Sequence, residues 1–130
     1  MVISSSEFSQ LKQKAETLAG EEEKLDALLR KAAEKARRRK QSLKRNWQEI
    51  TLLIRMVRAY ARGQYRKIPW RAIIMAIAAL LYFVNPFDIV PDFLTGIGFI
   101  DDATVIAFVA KAIREEINRF REYETQVTHS

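Results

Sequence analysis

Carboxylate chemistry is concentrated in one short stretch of this chain. Residues 82–102 hold two of the three prolines, two of the four glycines, no lysine or arginine, and four aspartates: Asp88, Asp92, Asp101 and Asp102. Four carboxylates can supply the oxygen ligands that Ca²⁺ or Mg²⁺ prefers, and a pair of them could perform acid and base catalysis. Typical zinc and copper centres are excluded, because the chain has no cysteine and only one histidine, His129.

A simpler role for these aspartates is to cap turns and helix ends. Asp88 and Asp92 follow Pro86 and Pro91 closely, and an aspartate there accepts backbone amides of the turn. Asp101 and Asp102 precede the last predicted helix, where they suit its N-cap. Capping is the preferred interpretation because acidic turns without metal are far commoner, and the spacing lacks the ligand pattern of an EF-hand. A Ca²⁺ or Mg²⁺ site at all four aspartates is the minority hypothesis.

Enzymatic activity is not predicted. A nucleophile elbow, a phosphate-binding glycine loop and a histidine-containing constellation are all missing from the sequence. A small helical bundle also leaves little room for a substrate cleft. We therefore expect no catalytic residue and no cofactor other than the divalent cation considered above.

Positive charge is concentrated in the first half of the chain. Residues 1–71 carry 18 Lys and Arg against 8 acids, net +10, whereas residues 72–130 carry 4 against 8, net −4. This division indicates an anionic partner for the first half, or neutralisation between the halves. A dense basic run supplies the predicted contacts with an anionic partner: Arg37, Arg38, Arg39, Lys40, Lys44 and Arg45.

The partner of the basic run is left open between three interpretations. The run could be a solvated helix face, or it could contact the phosphates of lipid or of nucleic acid. Nucleic acid is the weakest of these, because no recognised nucleic-acid-binding signature accompanies the charge. Pairing within the chain is also open, since an antiparallel register between helices ending at Arg62 and starting at Trp70 puts Lys44 and Arg45 near Asp88.

Residues 72–84 are apolar all the way round and predict a buried or lipid-facing helix. Asn85 precedes a proline, so the helix should end near Val84. Its length of ~20 Å is short of the ~30 Å hydrocarbon core, so it can fill a protein core or dip into one leaflet. Trp70 and Arg71 at one end, with Tyr82 near the other, resemble interfacial anchors.

A second pattern runs from residue 11 to residue 60, where positions in steps of four and three are apolar except for Glu22, Arg39 and Asn46. This heptad-like seam predicts helix packed along one edge and favours a homodimer through residues 11–60. Gly20 should interrupt the helix, and Gly63 should end the next one in the left-handed conformation. The last helix is expected from Ala103 to about Tyr123.

Together these elements predict an all-α fold. It is a small antiparallel helical bundle with an apolar helical hairpin and an extended N-terminal amphipathic helical arm, which projects from the bundle or folds back on it. The predicted divisions are a basic arm at residues 1–45, a helical domain at 46–124 and a frayed tail at 125–130. The N-terminal residues lack the pattern of a signal peptide, which favours an intracellular protein.

The motif residues of the acidic stretch resemble the YkvA-like family, small bacterial membrane-associated proteins built on a domain of unknown function. The resemblance covers roughly residues 50 to 120 and is carried by Tyr82, Asn85, Pro86, Asp88, Pro91, Asp92, Gly98, Asp101 and Asp102. It implies a helical hairpin with the aspartates at its turn and favours a membrane, but it implies no catalytic residue.

The sequence thus favours a non-enzymatic protein on the cytoplasmic side of the bacterial cell membrane, or in the cytoplasm. We expect its apolar hairpin (residues 72–110) and basic helix to meet an anionic membrane surface or lipid. The alternative is a soluble helical interaction or oligomerisation module, and cation binding or nucleic-acid binding ranks third.

Overall fold

The computed structural model describes residues 5–43, 46–84 and 102–129, and the described part consists of helices and the turns that connect them. Its helices are α1 (Ser5–Ala19), α2 (Glu22–Arg38), α3 (Lys40–Leu43), α4 (Asn46–Ala61), α5 (Trp70–Val84), α6 (Asp102–Ala112) and α7 (Arg114–His129). The predicted all-α bundle is therefore confirmed.

Helix α5 forms the centre of the bundle. Every residue from Ala72 to Phe83 is buried except Met75, which is half-buried. Helices α1, α2, α4 and α6 all pack against it. An apolar helix without a polar face needs cover on every side, and here four neighbours provide it.

The first 45 residues fold back on the bundle as far as they are described. Helix α1 packs on α5, and α2 packs on both α4 and α5. The apolar seam positions face inward, and the buried ones are Ala15, Leu25, Leu29, Ala32, Ala36, Leu43, Ile50, Leu53 and Val57. The apolar seam is thus covered by other helices of the same chain. A homodimer through residues 11–60 remains a prediction, but an uncovered seam is no longer an argument for it.

The helix ends follow local chemistry in most places. Gly20 separates α1 from α2 as expected, and the acidic first turn of α2, Glu22 and Glu23, meets the positive end of the helix dipole. The last predicted helix differs, because it is divided at Ile113 into α6 and α7. No glycine or proline lies between residues 103 and 124, so nothing in the sequence signals this break.

Helix α7 extends to His129, beyond the predicted end near Tyr123 and into the segment expected to fray. Contacts with the rest of the fold hold its C-terminal half. Arg55 on α4 pairs with Glu124 at 2.7 Å, and the Tyr123 hydroxyl donates to the Gln64 carbonyl at 3.3 Å. The rings of Tyr65, Phe120 and Tyr123 also pack together, with centroids 4.6–5.8 Å apart.

Candidate functional site

The turn from α4 into α5 is built by a glycine C-cap. Gly63 has φ of 74°, its N–H donates to the Tyr60 carbonyl at 3.1 Å, and the Gln64 N–H donates to the Ala59 carbonyl at 2.9 Å. These two bonds are those of a Schellman motif, which satisfies carbonyls at the end of α4 and reverses the chain. The residues that follow are thereby directed across the end of the bundle.

Pro69 caps the start of α5. Its carbonyl accepts the N–H groups of Ala72 at 3.0 Å and Ile73 at 3.2 Å, so the helical turn that follows begins at Trp70. Tyr65 and Ile68 are buried and fix the connector to the core. Their neighbours are therefore presented to solvent, and these are Arg66, Lys67, Pro69, Trp70 and Arg71.

A basic and aromatic surface results, and we call it the connector surface. Trp70 is 50% exposed, although tryptophan is one of the most apolar side chains in the protein. The cations around it are all exposed, and the complete surface is Arg62, Arg66, Lys67, Trp70 and Arg71. The guanidinium of Arg66 lies over the ring of Tyr60, 4.6 Å from its centroid, which restrains its position at this end of the bundle.

The connector and the adjoining residues of α4 and α5 carry charge of one sign, although Glu22 of α2 also lies at this end. Residues 50–87 contain six cations and no acid. Among the residues that the structure describes, none of the four connector cations forms an ion pair. The positive end of the α5 dipole adds to the same potential, so the surface attracts anions.

A cavity of about 270 Å³ opens beside the connector surface. Its floor is apolar and buried, with Leu25 from α2, Val57 from α4 and Ile73 and Ile77 from α5. Exposed residues form its rim, and these are Gly20, Glu22, Arg66 and Trp70. An apolar floor with a charged rim suits an amphipathic ligand better than a wholly polar one.

The described part of the predicted basic run, residues 37–40, follows Lys35 at the opposite end of α5. The Lys35 ammonium donates a hydrogen bond to the Phe83 carbonyl and lies 5.0 Å from the centroid of the Phe83 ring. Arg37, Arg38, Arg39 and Lys40 follow and are exposed. Because α5 has 15 residues, its ends are roughly 20 Å apart, and the basic run and Trp70 form two separate surfaces.

The acidic motif lies largely outside the described residues. This applies to Asn85, Pro86, Asp88, Pro91, Asp92, Gly98 and Asp101, and also to Lys44 and Arg45, so their pairing and any Ca²⁺ or Mg²⁺ site stay predictions. Helix α6 begins at Asp102, and Tyr82 is fully buried in α5. Within the described ranges, no group of three acidic or histidine side chains is placed to hold a metal ion.

Sequence reasoning found Trp70 and Arg71 but missed the rest of the connector surface. The available signal was the absence of any acid between Glu49 and Asp88. The dense basic run at residues 35–45 is a stronger signal in the sequence. The spaced cations of the connector form a cluster only when a turn brings them to one end of the bundle. That clustering depends on the Schellman motif at Gly63 and the cap at Pro69.

Comparison with known proteins agrees with this architecture. A family model described as a protein of unknown function, DUF1232, matches residues 72–108, which include α5 from Ala72 onward and α6 as far as Phe108. The uncharacterized membrane protein YkvA of Bacillus subtilis (strain 168) is 33% identical over 99 residues, covering 76% of this chain and 93% of that protein. The chain belongs to the YkvA-like family.

No solved structure is similar enough to this YkvA-like chain to count as a match.

One further finding concerns the family's relation to membranes. The Bacillus relative carries the word membrane in its name, yet none of the helices within residues 5–43, 46–84 and 102–129 combines the length and apolarity required to cross a bilayer.

Proposed function

We propose that this protein is a non-enzymatic helical protein that associates with anionic membrane surfaces through the connector surface. The observation that carries the proposal is Trp70, half exposed among four cations that form no ion pair with any residue the structure describes, at one end of the bundle. Tryptophan favours the headgroup level of a bilayer, where its ring meets apolar and polar surroundings together. The name of the Bacillus relative supports the same assignment.

Electrostatics gives the interaction its main strength. A Lys or Arg close to an anionic leaflet contributes about 1 kcal/mol, so four such residues supply roughly 4 kcal/mol. This attraction is screened over a Debye length of about 8 Å at physiological ionic strength. Binding should consequently be reversible and sensitive to salt, as is typical of a peripheral protein.

The fold favours surface attachment over insertion of the apolar hairpin. Ala72 to Phe83 are almost entirely covered by other helices, and presenting them to lipid would require α1, α2, α4 and α6 to separate from α5. The connector surface needs no such opening, because its side chains are already exposed. The proposal places the protein on the cytoplasmic face of the bacterial membrane, where anionic headgroups are accessible to it.

Two matched triple variants test the proposal by co-sedimentation with vesicles. One variant carries R62Q, R66Q and K67Q at the connector surface, and the other carries R37Q, R38Q and K40Q at the opposite end of α5. Both remove three positive charges from exposed positions. With vesicles containing phosphatidylglycerol, the connector variant should lose about 3 kcal/mol of binding, more than a hundredfold in affinity, whereas the other should lose much less.

The comparison separates position from net charge. Equal losses in the two variants would show that total charge alone drives binding and would contradict the role of the connector surface. A wild-type protein that stays in the supernatant with anionic vesicles at low salt would overturn the membrane proposal altogether. The soluble interaction module would then be the better explanation of the fold.

A further inference from the structure

We propose that the cavity beside the connector surface receives one acyl chain of an anionic phospholipid, with the lipid phosphate held at Arg66. The inference rests on the proposed membrane association and assigns a ligand class to the same end of the molecule. It would make attachment specific for a single lipid molecule, in addition to the general attraction of the surface.

The walls of the cavity provide the apolar part of such a site. Val57, Ile73 and Ile77 lie beneath it and are covered, so the apolar surface that a chain would meet directly belongs to Ala19, Ala61 and Trp70. The cavity volume of about 270 Å³ lies just below the range of ~300–1,000 Å³ that is usual for ligand pockets.

The rim supplies the polar part. Arg66 is placed at the mouth by its contact with the Tyr60 ring, and both residues line the cavity. A guanidinium binds phosphate through paired N–H donors, and its planar shape allows it to stay stacked on the ring while it does so. Trp70 on the same rim can lie beside the glycerol and upper chain at the level where tryptophan is favoured.

Glu22 gives the site a charge test of its own. It lines the same cavity as Arg66, in the first turn of α2, and is exposed. Its carboxylate repels a phosphate held at Arg66, because like charges that share one cavity interact unfavourably even near water. Substitution E22Q should therefore tighten the binding of an anionic lipid more than that of a zwitterionic lipid, whose headgroup cation offsets the charge of its phosphate.

The test uses the full chain with W47F, which leaves Trp70 as the only tryptophan. Dihexanoyl-phosphatidylglycerol, kept below its micelle concentration, is titrated while Trp70 fluorescence is recorded. We expect a saturable change that inorganic phosphate does not reproduce. Variant A61L narrows the cavity, since Ala61 lines it, and each methylene excluded should weaken binding roughly fourfold.

Variant A112L is the matched control, because Ala112 is exposed on α6 and does not line this cavity. Absence of saturable lipid binding, equal binding by A61L and A112L, or equal binding of inorganic phosphate would each overturn the acyl-chain site. Should A61L not fold, a dihexanoyl lipid brominated on its chain decides instead. It should quench Trp70 in the W47F protein, and failure to quench would count against the site.

Vesicle sedimentation of the same proteins distinguishes this inference from the function on which it rests. The connector cations are intact in A61L, so that variant should still sediment with anionic vesicles. Sedimentation without monomeric lipid binding overturns the cavity site and leaves membrane association standing. Loss of sedimentation in the wild type overturns membrane association itself.

Discussion

Gly63 is the residue whose backbone determines where the connector surface lies. Its φ of 74° is in the left-handed region, where a side chain meets the following carbonyl and costs roughly 1–2 kcal/mol. A Cβ at this position would have open space around it, so any cost of a substitution comes from the backbone alone. A substitution at Gly63 therefore measures how much the Schellman motif contributes to the free energy of unfolding.

We expect G63A to lower the free energy of unfolding by about 1 kcal/mol, which is the left-handed penalty less the entropy that alanine removes from the unfolded chain. The melting temperature should fall by roughly 3 °C. The control is G20A, because a Cβ at Gly20 would lie 3.7 Å from the Thr17 carbonyl oxygen, an ordinary contact, and Gly20 has no positive φ. Equal effects of the two substitutions on thermal unfolding would contradict this account.

At the scale of elements, Lys35 joins the end of α2 to the end of α5. Its ammonium donates to the Phe83 carbonyl, one of the last carbonyls of α5, and lies over the Phe83 ring. Carbonyls at a helix C-terminus lack partners within the helix and carry the negative end of the dipole. A half-buried lysine there stabilises both the carbonyl and the packing of α2 on α5.

Substitution K35M keeps the aliphatic stem and removes the charge and the donor. It should destabilise the fold by roughly 1.5–3 kcal/mol, as expected for a hydrogen bond made by a charged group. The matched control is K31M, one turn earlier on the same helix and exposed, which should change stability by less than about 0.5 kcal/mol. Urea denaturation of both proteins checks this, and equally small effects would show that the Lys35 contact contributes little.

The seam from residue 11 to residue 60 shows how far a periodic pattern predicts a helix. Its apolar positions are buried as expected, but the chain does not continue as one helix. The three polar seam positions all fall at breaks: Glu22 begins α2, Arg39 follows its end, and Asn46 begins α4. Polar residues on the seam therefore coincide with helix ends, because a helix end tolerates them where a buried stripe does not.

At the scale of the whole molecule, the candidate site depends on the turns between helices, because they determine at which end of the bundle each group of cations lies. The exposure of Trp70 and Arg71 was predictable, since anchoring residues flank an apolar helix. Their separation from Arg37–Lys40 was not, because it follows from α2 reaching the C-terminal end of α5. Sequence spacing alone does not specify which end of a bundle a basic run will occupy, whereas tertiary packing does.

The same packing makes the N-terminal arm part of the core. Leu29 on α2 is 1% exposed, and both tryptophans lie outside α1 and α2, in α4 and α5. Tryptophan fluorescence consequently reports unfolding of the bundle, while circular dichroism reports all of the helices. The two signals can show whether arm and bundle unfold together.

L29A should remove about 2–5 kcal/mol from the free energy of unfolding, since it leaves a cavity where α2 packs on α4 and α5. Because the arm covers α5, fluorescence and circular dichroism should shift to the same lower urea midpoint. Substitution R30A, at the exposed neighbouring position, should leave both midpoints nearly unchanged. An arm independent of the bundle would behave differently: L29A would then create an early transition in circular dichroism while the fluorescence midpoint stayed in place.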